Sequence, residues 1–472
     1  MLSQNPMQNL TRRGIVRSMV GGSMLLPGLV SELLANESGA SGAADPLAPR
    51  RGHVAAKAKR VIFLHMSGGV SHVDSWDPKP KLLADAGKTI PVNEFQGRKG
   101  DFKMFLKRPE WDFGKYGQSG TEVSTLFPHM AQCVDELCVI RSMKSDHTNH
   151  YEATLGMHTG SFTFARPSIG SWISYGLGTL NRNLPSFVVI APHSPYAGGQ
   201  VWGSDFLPGS HQGTLVSPGA EPVANIRRRA PTQKMQELEL AMMTKLNQRH
   251  LQSRITDPVL SARMKSFETA FGMQAEMPEV FDLSGENRAT LKLYGLEPGS
   301  TSGFAWQCLV ARRLAERGVR FVELIDVGSS NNWDAHGDMQ THAPLAKNVD
   351  QPIAGLIKDL RQRGMLDETL VVWTTEFGRT PFNAASGARG REHHHWVFSS
   401  WLAGGGVKPG ITYGESDEYG INVGNSPVHV HDFHATILHL MGLDHERLTY
   451  RHTGRDYRLT DVHGRVVKEV MA

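Results

Sequence analysis

Short, continuous runs of apolar residues recur along this chain, and segments with helix-like periodicity separate them. The runs cover residues 61–65, 137–142, 186–190, 320–325, 370–373 and 397–403. Continuous apolar runs are typical of strands buried on both faces, as in parallel sheets that carry helices on each side. The alternation therefore predicts an α/β fold, a three-layer α/β/α sandwich with a mainly parallel central sheet.

The segments between these runs differ in character. Helical spacing covers residues 126–137, 169–177, 304–317, 346–364 and 435–441, whereas residues 195–225 are rich in Gly, Ser and Pro and favour a long loop. Residues 81–120 are polar and weakly patterned, which favours a surface excursion. Residues 230–295 carry helical spacing without strand signals, so we expect a mostly helical insertion in one domain spanning residues 58–472.

The first 47 residues are typical of a targeting segment. Arg12 and Arg13 precede a weakly apolar stretch from 18 to 34, and an Ala/Ser/Gly-rich lead-in follows. This pattern predicts a twin-arginine export signal and a periplasmic or otherwise exported protein; the alternative is an ordinary amphipathic helix. No later segment reaches membrane-spanning length, so we expect no stable membrane span after signal cleavage.

Composition narrows the chemistry. The 50 basic and 46 acidic residues give a net charge of only +4, which argues against a nucleic-acid partner. Cys133, Cys138 and Cys308 form no Cys-x-x-Cys pair, so a thiolate zinc site is not expected; Cys133 and Cys138 are candidates for a disulfide in an oxidising compartment. The 22 histidines instead suggest imidazole metal ligands.

Candidate metal ligands follow two of the predicted strands. Glu376 comes directly after the run at 370–373, and His393, His394 and His395 follow in the next loop. Asp334, His336, Asp338 and His342 fall within nine residues after the run at 320–325. Because open α/β sheets collect functional groups at the carboxyl ends of their strands, these residues predict a metal site. Mixed oxygen and nitrogen ligands favour zinc, manganese or iron over calcium.

Two further strand ends carry polar groups. The first run leads into Ser67-Gly68-Gly69 and then Asp74, where glycines permit close approach of a ligand and the alternative is a plain turn. The run at 137–142 leads to Asn149 and His150 at the start of a helix-like segment. A helix N-terminus suits an anion, although Asn149 is also an ordinary helix cap.

Several motifs together resemble one bacterial family, the exported sulfatase-like proteins catalogued as domain of unknown function fifteen-oh-one. They are Met-Ser-Gly-Gly-Val-Ser-His-Val-Asp at 66–74, Arg-Pro-Ser-Ile-Gly-Ser-Trp at 166–172, Trp-Asp-Ala-His at 333–336, Thr-Glu-Phe-Gly-Arg-Thr-Pro at 375–381, Ala-Gly-Gly-Gly-Val-Lys at 403–408, Val-His-Val-His-Asp at 428–432 and the segment 454–464. The wider resemblance is to the alkaline phosphatase and sulfatase superfamily, which implies an alkaline-phosphatase-like fold and metal-dependent hydrolysis of phosphate or sulfate esters.

The resemblance also implies roles for individual residues. Glu376 falls where sulfatases carry a metal-binding Asp, His393 or His394 falls at a late metal histidine, and Asp334 with His336, or Asp338 with His342, takes the place of paired ligands. The chain departs from sulfatases at Phe377, which stands where a histidine ligand is expected. The first strand has Ser67-Gly68-Gly69 in place of a metal-binding acid. The expected nucleophile position lies near His150, and no Cys-x-Pro-x-Arg formylglycine motif is present.

The leading hypothesis is an exported, metal-dependent hydrolase whose substrate is a sulfated or phosphorylated small molecule or polysaccharide. Its predicted metal ligands for zinc or manganese are Asp334, His336, His342, Glu376, His393, His394 and Asp74. The predicted catalytic residues are His150, Asn149 and Arg379, and the predicted anion-binding residues are Ser67, Gly68, Gly69 and Arg391. Two alternatives stay open: a catalytically silent relative that binds anionic polysaccharide or a protein partner, and a metal-dependent isomerase or transferase.

Overall fold

The computed structural model describes residues 45–228, 230–252 and 258–472. These residues fall into two units, one of residues 45–226 and 265–472 and one of residues 227–264. The predicted export signal lies almost wholly outside the described residues. Within them, no helix is both long and apolar enough to cross a membrane.

The strands of the described chain are numbered in order. They are β1 (Arg60–His65), β2 (Thr89–Phe95), β3 (Arg98–Leu106), β4 (Phe113–Tyr116), β5 (Thr121–Ser124), β6 (Leu137–Lys144), β7 (Phe187–Ile190), β8 (Thr214–Val216), β9 (Phe321–Ile325), β10 (Thr369–Thr374), β11 (Gly378–Arg379), β12 (Phe382–Asn383), β13 (His393–His394), β14 (Phe398–Ala403), β15 (Ile411–Tyr413), β16 (Glu415–Ser416), β17 (Val423–Asn425), β18 (Val428–His429), β19 (Tyr450–His452) and β20 (Arg455–Tyr457).

The α-helices follow the same convention. They are α1 (Pro80–Ala84), α2 (His150–Thr159), α3 (Ile169–Leu177), α4 (Gln233–Gln252), α5 (Pro258–Phe281), α6 (Arg288–Tyr294), α7 (Phe304–Glu316), α8 (His342–Gln362) and α9 (Val430–Leu440). The segment predicted as a helical insertion thus contains α4, α5 and α6. The helix predicted over 126–137 is instead a 3-10 helix over Met130–Glu136.

One large sheet organises the α/β unit. Its strand order is β15-β6-β14-β10-β1-β9-β7-β8, with β18 also paired to β6. Strands β1, β7, β8, β9 and β10 pair in parallel, and only β14 runs antiparallel to its neighbours β10 and β6. The prediction of a mainly parallel α/β sheet is confirmed.

Alternate residues of each strand feed two cores on opposite faces of this sheet. On β1, Ile62 and Leu64 join the core covered by α7 and α8, whereas Val61 and Phe63 join the core covered by α2, α3 and α9. This unit is therefore layered helix, sheet, helix, as the continuous apolar runs require. Cys133 and Cys138 lie in different cores, and both are free thiols, so the disulfide that their spacing permitted does not form.

The predicted surface excursion at 81–120 contains regular structure. It holds α1, the hairpin of β2 and β3, and β4, which pairs with β5. Most residues of β2 and of the first half of β3 are exposed or half-buried, so the hairpin has little of the apolar alternation that marks a strand in sequence. Its base pairs with β12.

Candidate metal centre

The candidate site lies at the carboxyl end of the central sheet. Strand β1 lies between β9 and β10 and is parallel to both, so the loops that follow all three strands leave the same edge. Those loops carry Gly68, Asp334 and Glu376. Strand β13 brings in His393 by pairing with Arg379 of β11, and His150 is the first residue of α2, which follows β6.

Three imidazoles converge on the carboxylate of Asp334. Its Oδ1 lies 2.9 Å from His336 Nε2 and 3.2 Å from His393 Nε2, and its Oδ2 lies 3.3 Å from His150 Nε2. The two Nε2 atoms of His336 and His393 are themselves 2.9 Å apart. In the described part of the chain, His150, Asp334 and His393 form a group whose ligand atoms all lie within 4.8 Å of one another.

The opposite nitrogen of each imidazole faces an acceptor. His150 Nδ1 lies 2.6 Å from Glu376 Oε1, His336 Nδ1 lies 2.7 Å from Glu392 Oε2, and His393 Nδ1 lies 2.6 Å from the Thr148 carbonyl oxygen. Carboxylates and carbonyls only accept, so each Nδ1 carries a proton and donates it. In neutral imidazoles this leaves the three Nε2 lone pairs directed at Asp334. Metal-binding histidines usually donate their other ring N–H to an acceptor in this way.

This arrangement fits a divalent metal ion. The group of His150, Asp334 and His393, together with the adjacent His336 Nε2, offers three imidazole nitrogens and one carboxylate oxygen, a ligand set that suits zinc. Without a metal, a proton takes part of its place. Hydrogen bonds to Asp334 and then Glu392 raise the pKa of His336 to about 9. Burial raises the pKa of Asp334, but hydrogen bonds from His150, His336 and His393 outweigh it and hold that pKa far below its usual range.

Glu376 holds a ligand imidazole and lies outside the ligand group. Its two oxygens accept the Gly68 N–H at 2.9 and 3.2 Å, and Oε1 also accepts from His150 Nδ1. Burial raises the pKa of Glu376, but the His150 hydrogen bond is the main factor that lowers it to about 2, so the carboxylate stays ionised. The structure thus gives His150 the position of a ligand and Glu376 that of its orienting partner, whereas the sequence predicted a catalytic role for His150 and a ligand role for Glu376.

Arg379 is not exposed to the cavity where a substrate anion would bind. It is fully buried and donates to the carbonyls of Gly68 and Gly69, to Asp334 Oδ1 at 2.6 Å and to the Arg391 carbonyl. The guanidinium therefore fixes Asp334 in place. The predicted anion-binding loop leaves no open space for an anion. Gly68 is packed so closely that a Cβ there would lie 2.6 Å from the Trp333 nitrogen, and Ser67 Oγ is buried.

Four other predicted site residues lie away from the ligand group, and a fifth, Asn149, lines the cavity beside it. Asp74 and Arg391 form a fully buried ion pair with Nε–Oδ2 of 2.7 Å, so each is engaged with the other and not with the converging imidazoles. His342 Nε2 accepts the Ser71 N–H at 3.2 Å. His394 Nε2 lies 2.7 Å from the Ile421 carbonyl oxygen, on the face of β13 opposite to His393. Asn149 caps α2 by accepting the Tyr151 N–H at 2.9 Å.

Sequence reasoning missed four residues of the site. Glu392 directly precedes the three histidines, and its position in Arg-Glu-His-His-His was the available signal. Tyr196 stacks on His150 with ring centroids 4.3 Å apart, and no local pattern marks it. Gln96 and Thr148 join these residues around a cavity of about 460 Å³, whose lining also includes Asn149, His150, Tyr151, His336 and His393.

One protein family model matches this chain. It is described as Protein of unknown function (DUF1501), and the match covers residues 58–471. The chain belongs to the DUF1501 family. The matched span of this DUF1501 protein includes every residue of the candidate centre. Among curated proteins, none matches the chain significantly.

A sulfatase and an alkaline phosphatase are among the solved structures similar to this DUF1501 protein. Ps i-CgsB in complex with k-i-k-neocarrahexaose is 11% identical, with 82% of this chain and 73% of that chain covered and a TM-score of 0.36. The PsFucS1 sulfatase from Pseudoalteromonas sp. is 11% identical, with 92% and 72% covered and a TM-score of 0.34. Alkaline phosphatase from the Antarctic bacterium TAB5 is 12% identical, with 77% and 96% covered and a TM-score of 0.28. TM-scores this low define no residue-by-residue correspondence.

Proposed function

We propose that this protein is an exported, metal-dependent hydrolase of the sulfatase and alkaline-phosphatase-like class, acting on sulfate or phosphate esters. The observation that carries the proposal is the convergence of three Nε2 atoms on Asp334, with every Nδ1 bound to an acceptor. The resemblance of the sequence motifs supports the ester class, and the amino-terminal arginine pair supports export.

His150, Asp334, His336 and His393 would hold the ion, zinc or manganese rather than calcium. When bound, the ion would act as a Lewis acid on an ester oxygen and lower the pKa of a water. Glu376, Glu392 and the Thr148 carbonyl keep the three rings in one tautomer and one orientation. His150 is then held at both nitrogens, so water replaces a side-chain nucleophile.

Tyr196 is the side chain best placed to donate a proton to a substrate. Its ring lines the cavity and stacks on His150, and its hydroxyl oxygen accepts a hydrogen bond from Asn332 Nδ2 at 3.1 Å. With the oxygen already accepting, the hydroxyl proton is available to an ester oxygen in the cavity. We assign Tyr196 the stabilisation of the leaving oxygen.

The charges around the cavity favour a singly charged ester. No Lys or Arg is among the described residues that line the cavity. The nearby Arg379 donates its hydrogen bonds to backbone carbonyls and to Asp334. A divalent ion together with Asp334, the orienting carboxylates of Glu376 and Glu392, and the buried Arg379 leaves no excess positive charge at the site. A sulfate monoester or a phosphodiester therefore brings less uncompensated negative charge into the cavity than a phosphate monoester does.

The test is elemental analysis of protein exported by its natural route, with His393→Ala alongside, followed by hydrolysis of 4-nitrophenyl sulfate, bis(4-nitrophenyl) phosphate and 4-nitrophenyl phosphate. We expect stoichiometric metal in the wild type, depleted metal in the variant, and turnover of the two singly charged esters. Exported protein without metal would overturn the proposal. Bound metal with no turnover of any ester would favour the alternative, a catalytically silent protein that binds anionic polysaccharide or a protein partner.

A further inference from the structure

The turn of the β2–β3 hairpin lies against the candidate metal centre. It consists of Gln96 and Gly97, with φ of 51° and 73°, between the paired residues Phe95 and Arg98. Positive φ at both positions is typical of a type I′ turn, which joins two strands tightly and with little freedom. The hairpin therefore carries its tip to a defined place on the protein surface.

Gln96 bonds to a group that orients a ligand imidazole, and Gly97 lies near the residue that orients another. Gln96 Nε2 donates to Glu392 Oε2 at 2.8 Å, and the same oxygen accepts from His336 Nδ1 at 2.7 Å. A Cβ on Gly97 would lie 3.5 Å from Thr148 Oγ1, and the Thr148 carbonyl accepts from His393 Nδ1. The tip thus contacts the orienting partner of His336 and lies near that of His393.

The surroundings of Glu392 explain why such support has an effect. Glu392 is half-buried, and His336 has 41% of its side chain exposed, so this corner of the site has fewer packing contacts than the buried pair of His150 and Glu376. A carboxylate at an open edge rotates unless a second donor fixes it. Gln96 is that second donor, and it also lines the cavity.

We propose that Gln96 is a positioning residue of the metal centre: through Glu392 it fixes the ring of His336 and so strengthens metal binding. This inference rests on the proposed function, because it presumes that the converging imidazoles hold a metal. By linkage, a bound metal in turn stabilises the docked position of the hairpin tip. The β2–β3 hairpin then supports the metal centre through Gln96, which also lines the cavity.

The experiment compares the full chain with Gln96→Ala and with Lys103→Ala, a matched change at an exposed position of the same hairpin. The zinc affinity of each protein is measured by competition with a chelator, and the visible spectrum of the cobalt-loaded form reports ligand geometry. Replacement of an outer-shell partner costs roughly ten- to a hundredfold in metal affinity, and Gln96 acts one step further out, so we expect about a three- to tenfold loss for Gln96→Ala. Lys103→Ala should match the wild type.

A second readout uses the exposed Arg98 and Lys99 as trypsin sites. Zinc should slow cleavage there in the wild type and slow it less in Gln96→Ala, while the melting temperature of the metal-free proteins stays unchanged. Equal zinc affinity in wild type and Gln96→Ala would overturn the inference and leave the proposed function standing. An equal loss in Lys103→Ala would also overturn it, because the effect would then belong to hairpin stability. A wild type that binds neither zinc nor manganese would overturn both.

Discussion

Replacing Asp334 by Asn removes the one carboxylate on which the three imidazoles converge. In the folded protein, the Asn side chain keeps nearly the same volume, and Arg379 keeps its bonds to the Gly68, Gly69 and Arg391 carbonyls. The metal-free fold should therefore survive. Loss of an anionic ligand should weaken metal binding more than loss of an outer-shell partner does, so we expect a loss of at least about a hundredfold.

This loss converts into a measurable change in stability. A ligand that binds only the folded state stabilises it by RT ln(1 + [L]/Kd), about 4.1 kcal/mol when the free metal is about a thousand times Kd. With Kd raised about a hundredfold at the same metal concentration, the stabilisation falls to about 1.4 kcal/mol. Urea titrations of wild type and Asp334→Asn, each with and without zinc, measure both quantities.

Asp338 supplies the matched control. It lies four residues further along, caps the turn at Gln340 and pairs with Arg389 instead of the imidazoles. Asp338→Asn should keep the full zinc stabilisation. The reasoning is refuted if zinc stabilises Asp334→Asn as strongly as wild type, or if Asp338→Asn loses the effect.

Folding raises the pKa of His336 from 6.5 to about 9, so the protonated imidazole stabilises the metal-free protein. This stabilisation is complete below pH 6.5 and is lost as the pH rises through about 9. Zinc affinity should rise over the same range, since zinc displaces this proton; a pH-independent affinity contradicts the assignment. Arg391→Met should cost about 3–5 kcal/mol of unfolding free energy by leaving Asp74 buried and unpaired, with zinc affinity unchanged. A loss of zinc affinity there would restore the predicted role of Asp74. Glu323→Leu should also cost about 3–5 kcal/mol of unfolding free energy, because it removes the carboxylate 2.7 Å from the fully buried His158 and leaves that imidazole unpaired. The double variant Glu323→Leu, His158→Leu should recover most of the lost free energy. No recovery would mean that the pair itself stabilises the fold.

The fold and the family were accessible from the sequence because their signals are local. Continuous apolar runs such as 370–373 are a property of strands buried on two faces, whichever residues cover them. The motifs around Asp334 and Glu376 lie in single loops and identify the family by their order along the chain. The β2–β3 hairpin was missed because it exposes much of both faces, which leaves little apolar alternation.

The division of roles within the site was not accessible in the same way. Arg379 and Arg391 look alike in sequence, and so do Asp74 and Asp334 as acids in loops that follow strands. In the structure Arg391 forms an ion pair with Asp74 and Arg379 forms one with Asp334. Of the two carboxylates, only Asp334 also contacts the ligand imidazoles. Such pairings depend on which side chains become neighbours across hundreds of residues.

The sequence by itself determined that this chain forms a parallel α/β sheet and that acids and histidines collect at the ends of its strands. Only the tertiary structure decided which of them share one ligand group. The reason is that the acceptor at its Nδ1 fixes the tautomer and orientation of each imidazole, and these acceptors are Glu376, Glu392 and the Thr148 carbonyl. All three lie far along the chain from the ring they orient. The third is a backbone oxygen, which any residue would supply.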